Sequence, residues 1–318
     1  MARRRALNPD LVFGLHAVLE ALAATYDKRY LDTDPLGIVR RYPRPEDREL
    51  VGLLAAALAY GNVKSIRAKL EWLLCRMGGE SPSAFLDAWS AEHDWRLFEA
   101  FSHRFTRGSD IALLLSLVKQ ARRGAGTLEA FFCEGDVAPE STTLEAAMAS
   151  YVERLFAQDA RPFHASGNVP PNSGARYLLP SPSGGSVCKR HCLFLRWMVR
   201  HDDGVDCGVW KRVSPTRLVI PLDTHMQRMA RALGLTRRKS STWAMALEVT
   251  RALRAFDPTD PTRFDFALSR LGILGHLRTQ KHALTRRTLA KVIEGVLQQT
   301  SETKPVAVAK AGGPPYLP

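Results

Sequence analysis

The feature that most constrains this chain is a helical periodicity that recurs over nearly its whole length, with no stretch of regular polar–apolar alternation. A half-buried strand shows period two and an amphipathic helix period 3.6, so the sequence predicts an all-α protein. Asn8-Pro9 reads as an N-cap and first-turn pair, and Leu11, Leu15, Val18, Leu19 and Leu22 then mark one face. Asp34-Pro35 repeats the start signal for a short helix ending near Tyr42. Pro45 opens a helix over residues 46–60 that is apolar nearly all round, which places it in the core. Gly61 stops it. Asn62 caps the next helix, whose stripe is Val63, Ile66, Leu70, Leu73, Leu74 and Met77. Ser81-Pro82 starts another. Further helices are expected over residues 94–103, 110–123, 127–133, 143–157, 187–200, 224–233, 242–256, 262–272 and 284–298, and residues 218–220 read as a short extended piece.

Two stretches interrupt the pattern. Residues 159–186 are rich in Pro, Gly, Ser and Asn and read as a long loop, which inside a domain is usually functional or disordered. Residues 201–221 are irregular too, and residues 300–318 read as a disordered tail.

Composition narrows the class. With 45% hydrophobic and 24% charged residues the chain is globular, and 318 residues suffice to bury a full core. No apolar run reaches the roughly 18 residues of a membrane span. The basic Met1-Ala-Arg-Arg-Arg5 start leads into an amphipathic helix with His16 and Glu20, not into a signal-peptide core, so a cytoplasmic location is expected. Five cysteines, an odd number, fit reduced thiols. Cys188 and Cys192 share a helix face with His191, His201 and Cys207 close in sequence. A zinc site there is conceivable and would make a metal-dependent protein the third reading, but the spacing matches no known metal-binding pair, so buried free thiols and no metal are expected.

The charge is concentrated. The formal net charge is +13, and residues 187–291 carry 21 Lys and Arg against 8 Asp and Glu, which accounts for all of it. A localised basic field attracts polyanions, nucleic acid foremost, although a solvated basic face gives the same count. If a polyanion binds, Arg196, Arg200, Lys211, Arg212 and Arg217 around Trp210 would meet phosphates while the indole stacks a base.

Two segments could carry chemistry. In Pro221-Leu-Asp223-Thr-His225-Met-Gln-Arg228, Asp223 stands where a helix begins. It reads as a plain N-cap. The same position keeps a carboxylate ionised and fixed, able to stabilise a developing cation. In Gly184-Gly185-Ser-Val-Cys188-Lys189-Arg190, a glycine turn leads into a helix with Lys189 in its first turn. A cation there faces the positive end of the helix. Unless it is simply solvated, it has an anionic partner or a lowered pKa, and a lowered pKa makes an amine nucleophile.

Together these segments resemble the helix-hairpin-helix DNA glycosylases, the superfamily of endonuclease III. Lys189 matches the position of the lysine of the bifunctional branch, and Asp223 that of the catalytic aspartate. The gap of 34 residues between them is wider than in endonuclease III and closer to the archaeal 8-oxoguanine glycosylases. Ala57-Leu-Ala-Tyr-Gly-Asn62 resembles the helix–loop that probes the lesion strand, with Asn62 near the polar wedge. Arg263-Phe-Asp265-Phe-Ala-Leu-Ser-Arg-Leu-Gly272 resembles the late helix packed behind the aspartate. The hairpin departs from the usual Leu-Pro-Gly-Val-Gly and reads Leu179-Pro-Ser-Pro-Ser-Gly-Gly185. Residues 10–275 are also similar to a bacterial family of unknown function with a Cys-Lys-Arg…Phe-Leu-Arg-Trp-Met-Val-Arg…Pro-Leu-Asp-Thr-His run.

The resemblance implies a two-lobed helical fold over residues 1–275 with a hairpin–helix and a central cleft. Its interior lobe would span about 44–200, and the N-terminal and later helices would form the other. Residues 276–299 would be a helical extension. The implied function is base-excision repair by a monomeric DNA glycosylase acting on double-stranded DNA, with AP lyase activity through a lysine Schiff base. Lys189 and Asp223 would be catalytic. Asn62, Gly184, Gly185, Arg190, Arg196, Trp210, Lys211, His225 and Arg228 would bind DNA or the base. No cofactor is implied. No Cys follows Cys207, so a C-terminal four-Cys iron–sulfur cluster is excluded, while a structural monovalent cation at the hairpin is compatible. The second reading is a non-catalytic nucleic-acid-binding protein on the same scaffold.

Overall fold

The computed structural model describes residues 9–273 together with 289, 291, 293–295 and 298. It is all-α, with one two-stranded hairpin among the described residues. The helices run in chain order: α1 (Pro9–Thr25), α2 (Leu36–Val39), α3 (Pro45–Ala57), α4 (Val63–Arg76), α5 (Pro82–Ala88), α6 (Ala91–Asp94), α7 (Gly108–Ala125) and α8 (Leu128–Glu134). They continue with α9 (Glu145–Phe156), α10 (Gly174–Leu178), α11 (Lys189–Val199), α12 (Thr224–Leu233), α13 (Trp243–Leu253) and α14 (Asp265–Ile273).

Local chemistry explains the helix starts. Asn62, Ser81, Thr127, Asp223 and Thr242 each accept a hydrogen bond from a first-turn backbone N–H. A cap of this kind stabilises a helix by about 1 kcal/mol over alanine. Proline at the first helical position starts α3 and α5, where its missing N–H has no cost.

Helix α3 is the centre of the packing. It lies against α2, α4, α5 and α11, and Leu50, Val51, Leu53, Leu54 and the Ala55–Ala57 run are all buried. Gly52 faces α11 closely: a Cβ there would stand 2.7 Å from Met198 Cε. The buried apolar residues form one contiguous cluster from Leu19 to Ile293. Helix α1 packs on α14, and Arg263 Nη1 donates to Glu20 Oε1 at 2.9 Å, which ties the first described helix to the last segment before α14.

Three expectations change. The helix expected over residues 94–103 breaks at Phe98: α6 and a 3-10 turn (Trp95–Phe98) give way to β1 (Ser102–His103) and β2 (Thr106–Arg107), paired antiparallel. Each strand has two residues, too short for alternation to register. The long loop 159–186 contains α10 and a 3-10 turn at Pro182–Gly184. Helix α11 starts at Lys189, not at residue 187, because Cys188 adopts a left-handed conformation (φ 50°) that closes the preceding turn. Of the helix expected over residues 284–298, positions 289, 291, 293–295 and 298 are described and helical, and the rest lies outside the described residues. The tail 300–318 lies outside them too.

Candidate functional site

A cavity of about 320 Å³ opens where four helix starts meet. Asn62 and Val63 come from the start of α4, Lys189 from α11, Asp223 from the cap of α12, and Asp265 from the first residue of α14. All five residues line it. Helix N-termini carry unpaired N–H groups and positive partial charge, so their convergence favours anionic groups. The walls are completed by Ile66, Leu193, Trp197 and Phe266 on the apolar side and by His225, Arg228, Ser269 and Arg270 on the polar side.

Lys189 and Asp223 face each other across this cavity. Lys189 Nζ lies 3.7 Å from Asp223 Oδ2, and their side chains are 31% and 18% exposed. The two oxygens of Asp223 divide their work. Oδ1 accepts from Met226 N at 2.8 Å and caps α12, which leaves Oδ2 for the lysine. Lys189 also donates to the carbonyl of Ala59 at 3.3 Å, in the turn between α3 and α4. The cation in the first turn of α11 thus has an anionic partner.

Further residues are placed by close packing. A Cβ on Gly272 would lie 2.9 Å from His225 Cβ and Nδ1, so only glycine lets α14 close on α12 and hold the imidazole at the wall. Arg270 donates from Nη2 to Asp34 Oδ2 at 2.7 Å and from Nη1 to the Thr33 carbonyl and hydroxyl. Asp265 is buried and pairs with Arg196. Burial pushes its carboxyl up to about 6; Arg196 opposes this and the charge of Asp223 adds to it.

Behind the cavity lies a buried ionic lattice. Arg196 donates from Nε and Nη2 to Asp206 Oδ1, at 3.2 and 3.0 Å, and from Nη1 to Asp265. Arg200 pairs with Asp206, with Asp260 at 2.6 Å and with Asp203 at 3.0 Å. These carboxylates hold both guanidinium groups firmly protonated despite their burial.

The lattice corrects part of the sequence reading. Arg196 lines the cavity, yet it is 2% exposed and each of its nitrogens is bonded to Asp206 or Asp265, which makes it part of the lattice rather than a phosphate contact. Trp210 is 2% exposed, packs on Phe132 and Phe194, and donates from Nε1 to Glu49 at 2.6 Å. It is a core residue and cannot stack a base. Arg200 is locked in the lattice, and Arg217 pairs with Asp136 at 3.0 Å. Lys211 is exposed, donates to the Gly208 carbonyl and is not among the residues of the cavity wall. Gly184 and Gly185 are exposed at the turn before α11 and likewise lie off the wall. Arg190 is buried, donates to the Ala57 carbonyl, and stacks on Tyr60 and Tyr177 with centroids 5.2 and 4.2 Å away. Asn62, His225 and Arg228 do reach the wall with Lys189 and Asp223. The basic surplus therefore divides: Arg190, Arg196, Arg200 and Arg270 are internal, while Arg228, Arg231, Arg237 and Lys239 are exposed on and after α12.

Two groups of residues had no role assigned from sequence. Asp265 was one position in a helix expected to pack behind Asp223, and nothing local marks it as a second carboxylate in the cavity. The other group is the turn of the β1–β2 hairpin. Phe105 is 71% exposed there, and the side chain of Arg104 lies over Gly61 at the cavity rim. Phe105 contacts Tyr177 edge-on at 6.1 Å, and Tyr177 contacts Tyr60 in the same way at 5.3 Å. An Arg-Phe pair between His103 and Thr106 was the available signal, and the expected helix masked it.

Among the described residues no group of three His, Cys, Asp or Glu is placed to hold a metal ion. Cys188 Sγ donates to the carbonyls of Pro180 and Ser186, and burial pushes its thiol up to about 11. In the turn before α11 the carbonyls of Pro180, Ser181 and Pro182 already accept from Cys188 Sγ, Gly184 N and Gly185 N. Among the described residues no helix is long and apolar enough to cross a membrane.

The fold and the cavity define a class: an all-α protein with a lysine–aspartate pair at converging helix starts. Within that class the chain belongs to the family described as protein of unknown function (DUF2400), which matches residues 34–274. No curated protein and no solved structure matches the chain.

Proposed function

We propose that the protein is a DNA glycosylase that removes a base by nucleophilic attack of Lys189, with Asp223 as its proton carrier. The observation that carries this reading is the Lys189 Nζ–Asp223 Oδ2 approach of 3.7 Å inside a cavity of about 320 Å³. That volume suits a single planar base, and the apolar and polar walls suit its faces and edges. A base in duplex DNA must leave the stack to enter such a cavity. The exposed Phe105 and Arg104 beside the rim supply a stacking surface and a cation for the strand left behind. Arg228, Arg231, Arg237 and Lys239 supply charge for phosphates.

The steps balance. Asp223 takes a proton from the Lys189 ammonium, and the free amine attacks C1′ of the deoxyribose. The C1′–N bond breaks with its electron pair leaving on the base, which receives the proton from Asp223. Asp223 then takes a second proton from the attached amine and passes it to O4′ as the ring opens. This leaves an iminium between Nζ and C1′. Its elimination chemistry would be the lyase activity.

The test is borohydride trapping on duplexes with oxidised, deaminated or abasic sites. A covalent adduct that disappears in Lys189→Met, and base release that falls at least about 100-fold in Asp223→Asn, are expected. If no duplex yields a Lys189-dependent adduct and none loses a base, the glycosylase reading is wrong. Steeply salt-dependent binding that persists without chemistry would then point to the binding protein on the same scaffold.

A further inference from the structure

Lys189 Nζ has a closer partner than Asp223: the Ala59 carbonyl, at 3.3 Å against 3.7 Å. Once Asp223 has taken a proton, the neutral amine keeps two N–H groups and one lone pair. A carbonyl oxygen only accepts, so an N–H held on Ala59 turns the lone pair away from that oxygen and orients the nucleophile. The place of this carbonyl therefore bears on the proposed attack. It lies between α3 and α4, outside any helix or strand and two residues before Gly61 at φ 92°. The β1–β2 hairpin clasps this turn. The Tyr60 hydroxyl donates to the His103 carbonyl at 2.9 Å and meets the Thr106 hydroxyl at 2.6 Å. In return His103 Nε2 lies 3.0 Å from the Tyr60 carbonyl, so that nitrogen carries the ring proton and donates. The two rings pack with centroids 4.6 Å apart, and His103 is buried. Neither Tyr60 nor His103 is among the residues of the cavity wall, whereas Ala59 and Gly61 are.

We propose that Tyr60 and His103 are positioning residues: their reciprocal clasp fixes the Ala59 carbonyl, and through it Lys189 Nζ, relative to the hairpin whose tip carries Arg104 and Phe105. A nucleophile gains most of its advantage from being held in an attack geometry, and a site held by supporting hydrogen bonds loses rate when those bonds go, even where nothing that touches the substrate has changed. The hairpin tip that meets the strand and the amine that attacks the sugar are thereby joined through two residues. The inference deepens the glycosylase reading and rests on it.

The test uses the full chain, in excess over a duplex with one abasic site. Lys189 attacks the C1′ aldehyde carbon and loses water to an imine, which borohydride reduces to a stable adduct. Following adduct formation against protein concentration separates the maximal rate from the half-saturating concentration. Tyr60→Phe keeps the ring and removes the hydroxyl. Its maximal rate should fall roughly tenfold with the half-saturating concentration unchanged. His103→Leu should behave in the same way, and His103→Gln, whose amide offers a donor in place of Nε2, should recover most of the rate. A purely structural role would not give this pattern, because loss of folded protein shifts the half-saturating concentration and leaves the maximal rate in place. A wild-type maximal rate in Tyr60→Phe or His103→Leu, a change confined to the half-saturating concentration, or a His103→Gln protein as slow as His103→Leu overturns the positioning role and leaves the glycosylase reading standing. A wild-type protein that forms no Lys189-dependent adduct refutes that reading and takes this inference with it.

Discussion

The two ends of α11 carry ion pairs of opposite kinds. At the C-terminal end Arg196 and Arg200 are buried among Asp203, Asp206, Asp260 and Asp265, and each guanidinium meets two or more carboxylates. At the N-terminal end Lys189 meets one carboxylate oxygen of Asp223 at 3.7 Å, in a cavity that solvent reaches. Desolvating a charge costs several kcal/mol, so the buried end survives because each guanidinium nitrogen meets a carboxylate. The open end bears no such constraint, and its pair contributes little to stability. What separates structural from chemical charge along one helix is therefore how completely the protein satisfies it. Asp265 belongs to both ends, through its bond to Arg196 and its place in the cavity wall.

The comparison breaks most visibly at Asp206. Asp206→Ala leaves Arg196 and Arg200 short of their shared carboxylate, which is itself fully buried. A loss of about 3–5 kcal/mol is expected in urea denaturation. A loss below about 1 kcal/mol would show that the lattice relaxes or hydrates, and the distinction between the two ends would go with it.

A third ionisable group on α11 sharpens the point by pH. His191 is fully buried against Phe132 and Tyr151, neither ring nitrogen has a partner, and burial pulls its pKa down to about 3. The folded protein keeps the imidazole neutral, whereas the unfolded chain protonates it near 6.5. The stability this gives is present above pH 6.5 and is lost as the pH falls towards 3. At pH 5 the loss is about 2 kcal/mol relative to pH 7.5. Asp265 acts in the opposite sense: its raised carboxyl favours the fold most below the ordinary aspartate range, and that contribution fades as the pH rises to about 6. Urea unfolding of the wild type and of His191→Leu at both pH values separates the two. The variant should lose the His191 share of the acid sensitivity, and identical pH dependence in both proteins would show that His191 finds a proton partner in the fold.

The sequence made the helices and their caps legible because both are local. Asn62 and Asp223 could be read as caps from a side-chain oxygen before an apolar stripe, and each proves to be one. The Lys189 and Asp223 starts were legible for the same reason, since a helix N-terminus states where its first side chains sit. The partners of charged residues were not legible. Arg196 meets Asp265 69 positions away, and Trp210 meets Glu49 161 positions away. Sequence proximity instead grouped Arg196, Arg200 and Trp210 as a surface for nucleic acid, when all three face inward. Charge counting shares this limit, because a cation neutralised in the core and one in solvent count alike. The hairpin bearing Phe105 was lost to strands of two residues, which leave no period to detect.

The smallest effects on stability belong to the open end of α11, and they bear most directly on the proposed chemistry. Asn caps a helix about as well as Asp, so Asp223→Asn retains the hydrogen bond to Met226 N and should cost less than about 0.5 kcal/mol. Lys189→Met preserves an apolar stem and loses one part-exposed pair, a change of about 0.2–1 kcal/mol. Thermal or urea unfolding should therefore leave both variants close to the wild type while covalent trapping and base release collapse. A residue that matters for chemistry and hardly for folding is what an unsatisfied, reachable charge predicts. A Lys189→Met protein destabilised by 3 kcal/mol or more would place Lys189 with Arg196 and Arg200 as part of the scaffold, and both ends of the helix would then be structural.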